Sequence, residues 1–230
     1  MIEPRTVENE IEIRTMSIAE AEMRAVKSEG KYILSGYAAI FNTWGSEVYG
    51  FREKIAPGAF GSSIGADDIR SLFNHDANWI LGRNKANTLT MREDTKGLWM
   101  EVMVNPDDPN AMSIFSKVQR GDVSGQSFSF KTKNDSWVYP EAADALPERT
   151  LLEVKLFDVG PVTYPFYEMT DVGAAMRSME LNRPKKDLTG AISSGEEKSP
   201  SNIVTPSGDV GFVQAAVMRK HQLRLLEMER

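Results

Sequence analysis

An alternating hydrophobic pattern on both sides of one short turn constrains the fold of this chain more than any other sequence feature. Leu89 and Met91 alternate with polar residues before the turn at residues 93–97. After the turn, apolar residues alternate again at Leu98, Met100, Val102 and Val104. Side chains repeat every two residues along one face of a β-strand, and turns that contain glycine commonly join two such strands. The pattern therefore predicts an antiparallel β-hairpin.

Other segments carry strand patterns as well, and helical patterns are fewer. Apolar runs with strand character cover residues 32–41, 127–130 and 152–162. Asp108 and Pro109 are typical of a helix start, and Gly121 is typical of a helix end. Shorter helices are predicted to open at residues 57–60 and to cover residues 170 to about 179. Because strands and helices do not alternate, we expect a mainly β (α+β) domain with flanking helices, a twisted sheet or barrel, and no doubly wound parallel sheet.

The composition changes near residue 178. From there to residue 230 the chain carries 8 basic and 7 acidic residues, whereas residues 1–177 carry a net charge of −7. Residues 178–208 are rich in Ser, Gly, Pro, Lys and Glu, which is typical of a flexible, disordered linker. Apolar residues then recur near helical spacing at Phe212, Ala216, Leu223 and Leu226. We predict a domain over residues 1–177, a linker over residues 178–208, and an amphipathic helix over residues 209–230.

Composition also excludes several classes of function. The net charge of −6 is opposite in sign to the basic surplus that is usual in nucleic-acid-binding proteins. The absence of cysteine excludes a thiol nucleophile, a disulfide framework and a cysteine-based metal site. The sequence has neither a signal-peptide pattern at its start nor an apolar run that would span a membrane, so we expect a cytoplasmic protein. The adjacent pair His75 and Asp76 makes a poor chelator, and we expect no metal or cofactor.

The two histidines narrow the search for catalytic residues. A serine hydroxyl near neutral pH needs a base within hydrogen-bond reach, and histidine suits that task best. His75 precedes Ser127 by 52 residues, while His221 lies in the tail, where a preorganised site is not expected. Residues 125–127 do not form the nucleophile elbow of α/β-hydrolases. Ser124 and Ser129 are alternative nucleophiles, since pattern alone does not separate Ser129 from Ser127.

Six short motifs in order, spread over about residues 30–170, show a resemblance to a known family. They are Gly36–Asn42, Ile55–Phe60, Leu72–Asp76, Leu81–Arg83, Ser127–Phe130, and Leu152–Val159 with Pro161–Pro165. In these motifs the chain resembles the prohead serine proteases of tailed bacteriophages, the caudovirus family. That family is similar in fold to herpesvirus assemblin, so the resemblance implies an assemblin-like β-barrel surrounded by helices.

The resemblance also implies site residues. It favours Ser127 as the nucleophile and His75 as the general base. Assemblin-like enzymes orient the first histidine with a second one, whereas here a carboxylate must do so. Asp158 is our first choice for this third member, because it precedes the break expected at residues 160–161, and Glu153 is the alternative.

Two further sets of residues remain open. Asp76 is adjacent to His75 and is expected to point away from it. The acid that does not join the site is expected to be a solvated strand residue or to form a salt bridge with Lys155 or Arg83. An oxyanion donor is expected among Gly125, Gly160 and Arg83.

The function implied by the resemblance is that of a serine endopeptidase in phage head maturation. Its partners would be the major capsid protein and its scaffold region, it would cleave its own termini as well, and it would act inside the prohead in the host cytoplasm. The tail helix would dock on the domain, self-associate or bind a partner. The alternative is a non-catalytic head-assembly protein on a protease-like domain. A small-molecule serine hydrolase is disfavoured, since the nucleophile elbow is missing.

Overall fold

The computed structural model describes residues 11–45, 50–142, 145–165 and 173–184. The strands in this part of the chain are β1 (Glu12–Ser17), β2 (Arg24–Ser28), β3 (Lys31–Ile40), β4 (Arg52–Ile55), β5 (Arg70–Leu72), β6 (Ile80–Arg83), β7 (Leu89–Glu93), β8 (Gly97–Val104), β9 (Gly125–Val138) and β10 (Glu148–Val162). The helices are α1 (Ile18–Ala21), α2 (Gly61–Ala66), α3 (Pro109–Arg120) and α4 (Gly173–Asn182). The expected mainly β class with a few helices is confirmed.

The hairpin predicted around residues 93–97 is formed by β7 and β8. The two strands pair antiparallel without a register shift. The Asp94 carboxylate accepts hydrogen bonds from the backbone N–H groups of Lys96 (2.8 Å) and Gly97 (3.1 Å), which stabilises the turn. The alternating apolar residues of β8 are buried as predicted: Leu98, Met100, Val102 and Val104.

The strands form two sheets rather than the closed barrel that the resemblance implies. The larger sheet has the order β1-β9-β10-β5-β6, with β4 also paired to β10, and the smaller has the order β2-β3-β8-β7. Within the residues that the structure describes, β1 does not pair with β6, nor β2 with β7, so neither sheet closes. Alternating patterns predict strands, but closure depends on which edge strands meet, and a local pattern does not encode that.

The two longest strands, β9 and β10, separate the core from a polar face. Phe128 and Phe130 of β9 are fully buried in the core, together with Leu156 of β10. Ser127 and Ser129 alternate with the phenylalanines and therefore lie on the opposite face of the sheet. The two serine hydroxyls therefore lie on the side of the sheet that faces away from the hydrophobic core.

Two of the predicted helices differ in detail from the structure, and one is confirmed. For α3, the Asp108 side chain accepts hydrogen bonds from the first-turn N–H groups, and Gly121 ends the helix with a φ of 90°. The short helix predicted to open at residues 57–60 begins only at Gly61, because Gly58 has a φ of 90°. α4 ends at Asn182, three residues later than predicted, and residues 170–172 at its predicted start lie outside the described residues.

The chain separates into a unit of residues 1–182 and a unit of residues 183–230. The domain boundary predicted after residue 177 falls inside α4. The predicted amphipathic helix and most of the predicted linker lie outside the described residues, as does His221. No helix in the described part of the chain has the length and apolar character needed to cross a membrane.

A buried ion cluster anchors the edge strand β1. The fully buried Arg149 of β10 binds Glu12 (2.7 Å), Glu53 (2.9 Å) and Asp135 (2.7 Å). Arg14 of β1 binds Glu12 (2.7 Å) and Glu53 (2.6 Å). Buried charges are tolerated when they are paired in this way. The cluster joins β1, β4, β9 and β10, and it holds β1 beside the strand that carries Ser127.

Candidate active site

Ser127 lies in the middle of the larger sheet. Its strand β9 is paired on one side with β1 and on the other with β10, so Ser127 is opposite Thr15 and Gly160. The residue has no exposed surface. A serine in such a position has few rotamers available, and its neighbours therefore determine where the hydroxyl points.

His75 lies in the loop between β5 and β6. Both His75 (φ 57°) and the preceding Asn74 (φ 53°) have left-handed backbone conformations. This conformation is uncommon for residues other than glycine, and such outliers often occur at functional sites. The imidazole lies over the polar face of the sheet, where its Nε2 is 2.6 Å from the Ser127 hydroxyl.

Asp158 completes a continuous chain of hydrogen-bonding groups. One of its carboxylate oxygens, Oδ1, is 2.6 Å from His75 Nδ1. The other, Oδ2, accepts a hydrogen bond from the hydroxyl of Ser129. The side chains of His75 and Asp158 are 18% and 11% exposed. A partly desolvated pair of this kind interacts more strongly than it would in water.

A β-bulge explains why Asp158 reaches this face of the sheet. The register shifts between Leu156, which is opposite Phe130, and Asp158, which is opposite Ser129. Without the bulge, strict alternation would put Asp158 on the core face with Leu156. The sequence analysis prefers Asp158 because it expects the strand to break at residues 160–161. The strand instead continues to Val162.

Gly160 allows the segment that carries His75 to approach β10. A Cβ atom on Gly160 would lie 1.9 Å from the backbone oxygen of Leu72. Leu72 ends β5 and precedes His75 by three residues. Gly125 is similarly confined, since its Cβ would lie 2.7 Å from Val162 Cγ2. Both glycines, which the sequence analysis names as candidate oxyanion donors, therefore also have packing roles in the structure.

The remaining acidic and basic candidates lie in other interactions. Glu153, the alternative third member, accepts hydrogen bonds from Ser62 (2.8 Å) and Lys133 (3.3 Å), which hold the pKa of its carboxyl group below the ordinary value. Lys133 replaces the salt-bridge partners expected from the sequence. Asp76 accepts hydrogen bonds from Asn78, as expected for a side chain that points away from His75.

The two remaining candidates, Arg83 and Ser124, bind groups other than Ser127, His75 and Asp158. Arg83 forms a surface pair with Asp68 at 2.6 Å. The Ser124 hydroxyl donates to the backbone carbonyl of Thr163 at 3.1 Å.

Sequence reasoning missed two contacts of the three residues. The Ser127 hydroxyl is 3.0 Å from the backbone carbonyl oxygen of Arg14, so it has an acceptor besides His75. Ser129 contacts Asp158, although in the sequence it was only an alternative nucleophile. The signal for the second contact was present in the shared strand face of Ser127 and Ser129. The contact of Ser127 with Arg14 depends on the pairing of β1 with β9, and no local sequence pattern predicts that pairing.

The described part of the chain contains no set of side chains arranged to bind a metal ion. None of the clusters of His, Asp and Glu there combines three or more residues in a geometry that would hold an ion. The contacts among Ser127, His75 and Asp158 are those that a nucleophile, a base and an orienting acid would make.

Comparisons with known proteins agree with this chemistry. A family model described as caudovirus prohead serine protease matches residues 19–184. The prohead protease of Enterobacteria phage HK97 is 29% identical over 172 residues, which cover 73% of this chain and 70% of that protein. The solved structure of the bacteriophage T4 capsid assembly protease, gp21, is 12% identical, with a TM-score of 0.43 over 68% of this chain and all of that one. This last similarity is too low to support an argument, whereas the family match covers all three residues of the site.

Proposed function

The chain belongs to the caudovirus prohead serine protease family, and from that premise we propose that it is a serine endopeptidase with Ser127, His75 and Asp158 as its catalytic residues. The observation that carries this proposal is the pair of 2.6 Å contacts that His75 makes, through Nε2 with Ser127 and through Nδ1 with Asp158. Both ring nitrogens are thus engaged in the way that general-base catalysis by histidine requires.

In the proposed mechanism, Ser127 Oγ attacks the carbonyl carbon of the scissile peptide bond while His75 Nε2 takes the hydroxyl proton. The tetrahedral intermediate collapses to an acyl-enzyme when His75 returns that proton to the leaving amine. Water then attacks the ester with His75 again as the base, and the released acid leaves Ser127 in its starting form. Asp158 keeps the Nδ1 proton in place and stabilises the imidazolium that forms twice in each cycle.

The carbonyl of Arg14 affects the first step. The Ser127 hydroxyl has one proton and two acceptors within reach, the Arg14 oxygen and His75 Nε2. Attack requires the proton to lie on the side of His75. A hydroxyl that donates to Arg14 is therefore in a resting arrangement, and the reaction starts when it rotates toward the imidazole.

The proposed substrates are the scaffold region of the major capsid protein and the chain itself. The family and the name of the HK97 relative support a role in phage capsid maturation. Within the chain, residues 183–207 have the composition of an accessible linker, and accessible linkers are preferred sites of proteolysis. Because cleavage before assembly would be harmful, we expect low activity in the dilute protein and full activity inside the prohead.

Intact-mass spectrometry of the purified chain tests this proposal. The wild type, at high concentration over hours, should yield fragments that are absent from Ser127→Ala. Ser113→Ala, an exposed serine on α3, is the matched control and should cleave like the wild type. If the wild type stays intact alone, the wild type and the two variants are co-expressed with the capsid protein.

Two results would contradict the proposal. The same fragments in both the wild type and Ser127→Ala would point to a contaminating protease or to a different serine, and would contradict Ser127 as the nucleophile if they persist after repurification. A wild type that leaves itself and the co-expressed capsid protein intact would favour the alternative, a non-catalytic head-assembly protein. The close contacts of His75 speak against that alternative, since an inactive scaffold has no need of them.

A further inference from the structure

The loop that carries His75 is held in a conformation that its own residues disfavour. Asn74 and His75 are consecutive residues with positive φ, at 53° and 57°. Asparagine tolerates this region, whereas a larger side chain such as histidine enters it rarely. The loop turns sharply there, which places the imidazole over Ser127. Some contact outside the loop must hold the turn.

Asn74 makes that contact through three hydrogen bonds. Its backbone N–H donates to the carbonyl of Pro161 (3.1 Å), and its side-chain Nδ2 donates to the hydroxyl of Thr163 (3.1 Å). Its side-chain Oδ1 accepts the backbone N–H of Thr163 (2.8 Å). All three bonds end on the last residues of β10 or on the residue after it. The His75 loop is therefore tied to the strand that supplies Asp158.

Thr163 also contacts the segment before the nucleophile. Its backbone carbonyl accepts the hydroxyl of Ser124, which immediately precedes β9. Thr163 thus joins the loop that carries His75 to the start of the strand that carries Ser127. Asn74 itself is exposed and is not part of the core. Its side chain bonds to neither Ser127 nor Asp158 among the described contacts, so it can influence them only through His75.

We propose that Asn74 is a positioning residue, which clamps the His75 loop to Thr163 and so keeps the imidazole within hydrogen-bond reach of Ser127 and Asp158. The role belongs to the active site proposed above and rests on that function. The clamp has two parts, an asparagine that tolerates the left-handed turn and a side-chain amide that matches one N–H and one hydroxyl of Thr163. Loss of the amide should loosen His75 even where the turn itself survives.

The two parts can be separated by substitution. Asn74→Gly keeps access to the left-handed conformation and removes both side-chain hydrogen bonds. Thr163→Val removes only the hydroxyl that receives Asn74 Nδ2. Asn87→Gly is the matched control, because Asn87 is also exposed and left-handed (φ 56°) but lies between β6 and β7. A double variant of Asn74 and Thr163 measures whether the two residues act as one unit.

The test combines kinetics with a readout that does not need an active enzyme. Proton NMR of the two histidines reports the His75 Nδ1 proton, with His221→Gln used to assign the signals. Spectra are recorded while intact-mass spectrometry shows that the chain is still full-length. We expect Asn74→Gly to lower kcat at least tenfold with KM changed less than threefold, and to speed solvent exchange of the Nδ1 proton about tenfold. Thr163→Val should show a smaller loss of kcat and a smaller rise in the exchange rate. The double variant should show effects no larger than those of Asn74→Gly, and Asn87→Gly should show neither effect.

The outcomes distinguish this proposal from the proposed function. The wild type could lack protease activity while Asn74→Gly still speeds solvent exchange of the His75 Nδ1 proton. That result would contradict the proposed function and support the clamp. An unchanged Nδ1 signal and kcat in Asn74→Gly would overturn the clamp. A raised KM with unchanged kcat and Nδ1 signal would overturn it too, and would make Asn74 a substrate contact. If Asn74→Gly does not fold, Thr163→Val decides by the same two readouts.

Discussion

Three serines within six positions show how much a single contact decides at the scale of residues. Ser127, Ser129 and Ser124 are chemically identical, and the sequence left all three open as nucleophiles. In the structure only the Ser127 hydroxyl contacts His75, while Ser129 contacts Asp158 and Ser124 contacts Thr163. In the proposed mechanism the Ser127 hydroxyl reacts, and the other two hydroxyls hold groups that surround it. The same division separates the two acids of β10.

The pair Asp158 and Glu153 allows a matched prediction. Asp158→Asn should lower kcat on the order of 10⁴-fold, because an amide donates to Nδ1 and moves the histidine proton to Nε2, which then cannot accept from Ser127. Glu153→Gln makes the same chemical change on the same strand at a carboxylate bound to Ser62 and Lys133, and it should leave kcat within twofold. Rates of self-cleavage or peptide cleavage for the two variants check this. Equal losses in both would mean that the wrong acid has been assigned.

At the scale of elements, β10 shapes the site with one bulge and one glycine. The bulge before Asp158 turns its carboxylate to the face of Ser127, and Gly160 admits the end of β5. β5 leads directly into the His75 loop. The strand therefore sets the positions of both partners of Ser127, one through its own side chain and one through close backbone packing.

Replacing Gly160 tests this packing. Gly160→Ala places a methyl group 1.9 Å from the Leu72 oxygen, so β5 must move away. We expect a loss of about 1–3 kcal/mol in the free energy of unfolding and a loss of activity larger than unfolding explains. Gly65→Ala is the control, because nothing lies within 4 Å of its added Cβ and alanine favours α2. Urea denaturation and cleavage rates measure both effects, and an active Gly160→Ala would refute the packing role.

What the sequence could predict follows from the range of its patterns. Alternation identified the β7–β8 hairpin and the strands near Ser127 and Asp158, because each side chain's face depends only on neighbours two residues away. The scarcity of histidine and the family motifs singled out His75. The bulge before Asp158, the pairing of β1 beside Ser127 and the open edges of the two sheets depend on distant segments. No local pattern contains that information. The closed barrel was expected from the family resemblance, and two sheets are found instead.

At the scale of the whole molecule, the buried cluster around Arg149 connects strands that are distant in sequence. Burial alone would raise the pKa of the Glu12 carboxyl group. The charges of Arg14 and Arg149 and the hydrogen bonds from Arg149 and Thr132 outweigh burial and hold this pKa below its ordinary value. A carboxyl group with a lowered pKa stabilises the folded state above its ordinary pKa. That stabilisation is lost as the pH falls through the folded-state pKa.

Arg149→Met tests the cluster. The variant leaves Glu12 buried with Arg14 as its remaining cation, and we expect it to destabilise the fold by about 3–5 kcal/mol at neutral pH. The difference from the wild type should shrink below about pH 4.5, as protonation removes the charge of Glu12. Arg120→Met, at an exposed pair with Asp122, should change the unfolding midpoint little at any pH. Urea denaturation from pH 7 to pH 3.5 measures both, and a difference that does not depend on pH would contradict the pairing.

The burial of Ser127 has a consequence for what such an enzyme can cut. A hydroxyl without exposed surface meets a scissile bond only after neighbouring groups move aside, and a flexible strand-like stretch can enter such a gap more readily than a bond on the rigid exterior of a compact protein. The conformation of the substrate segment would then decide which bonds are cleaved, before any preference for particular amino acids applies. Within an assembling shell, the timing of each cut would follow the moment at which a joint between folded parts is left open.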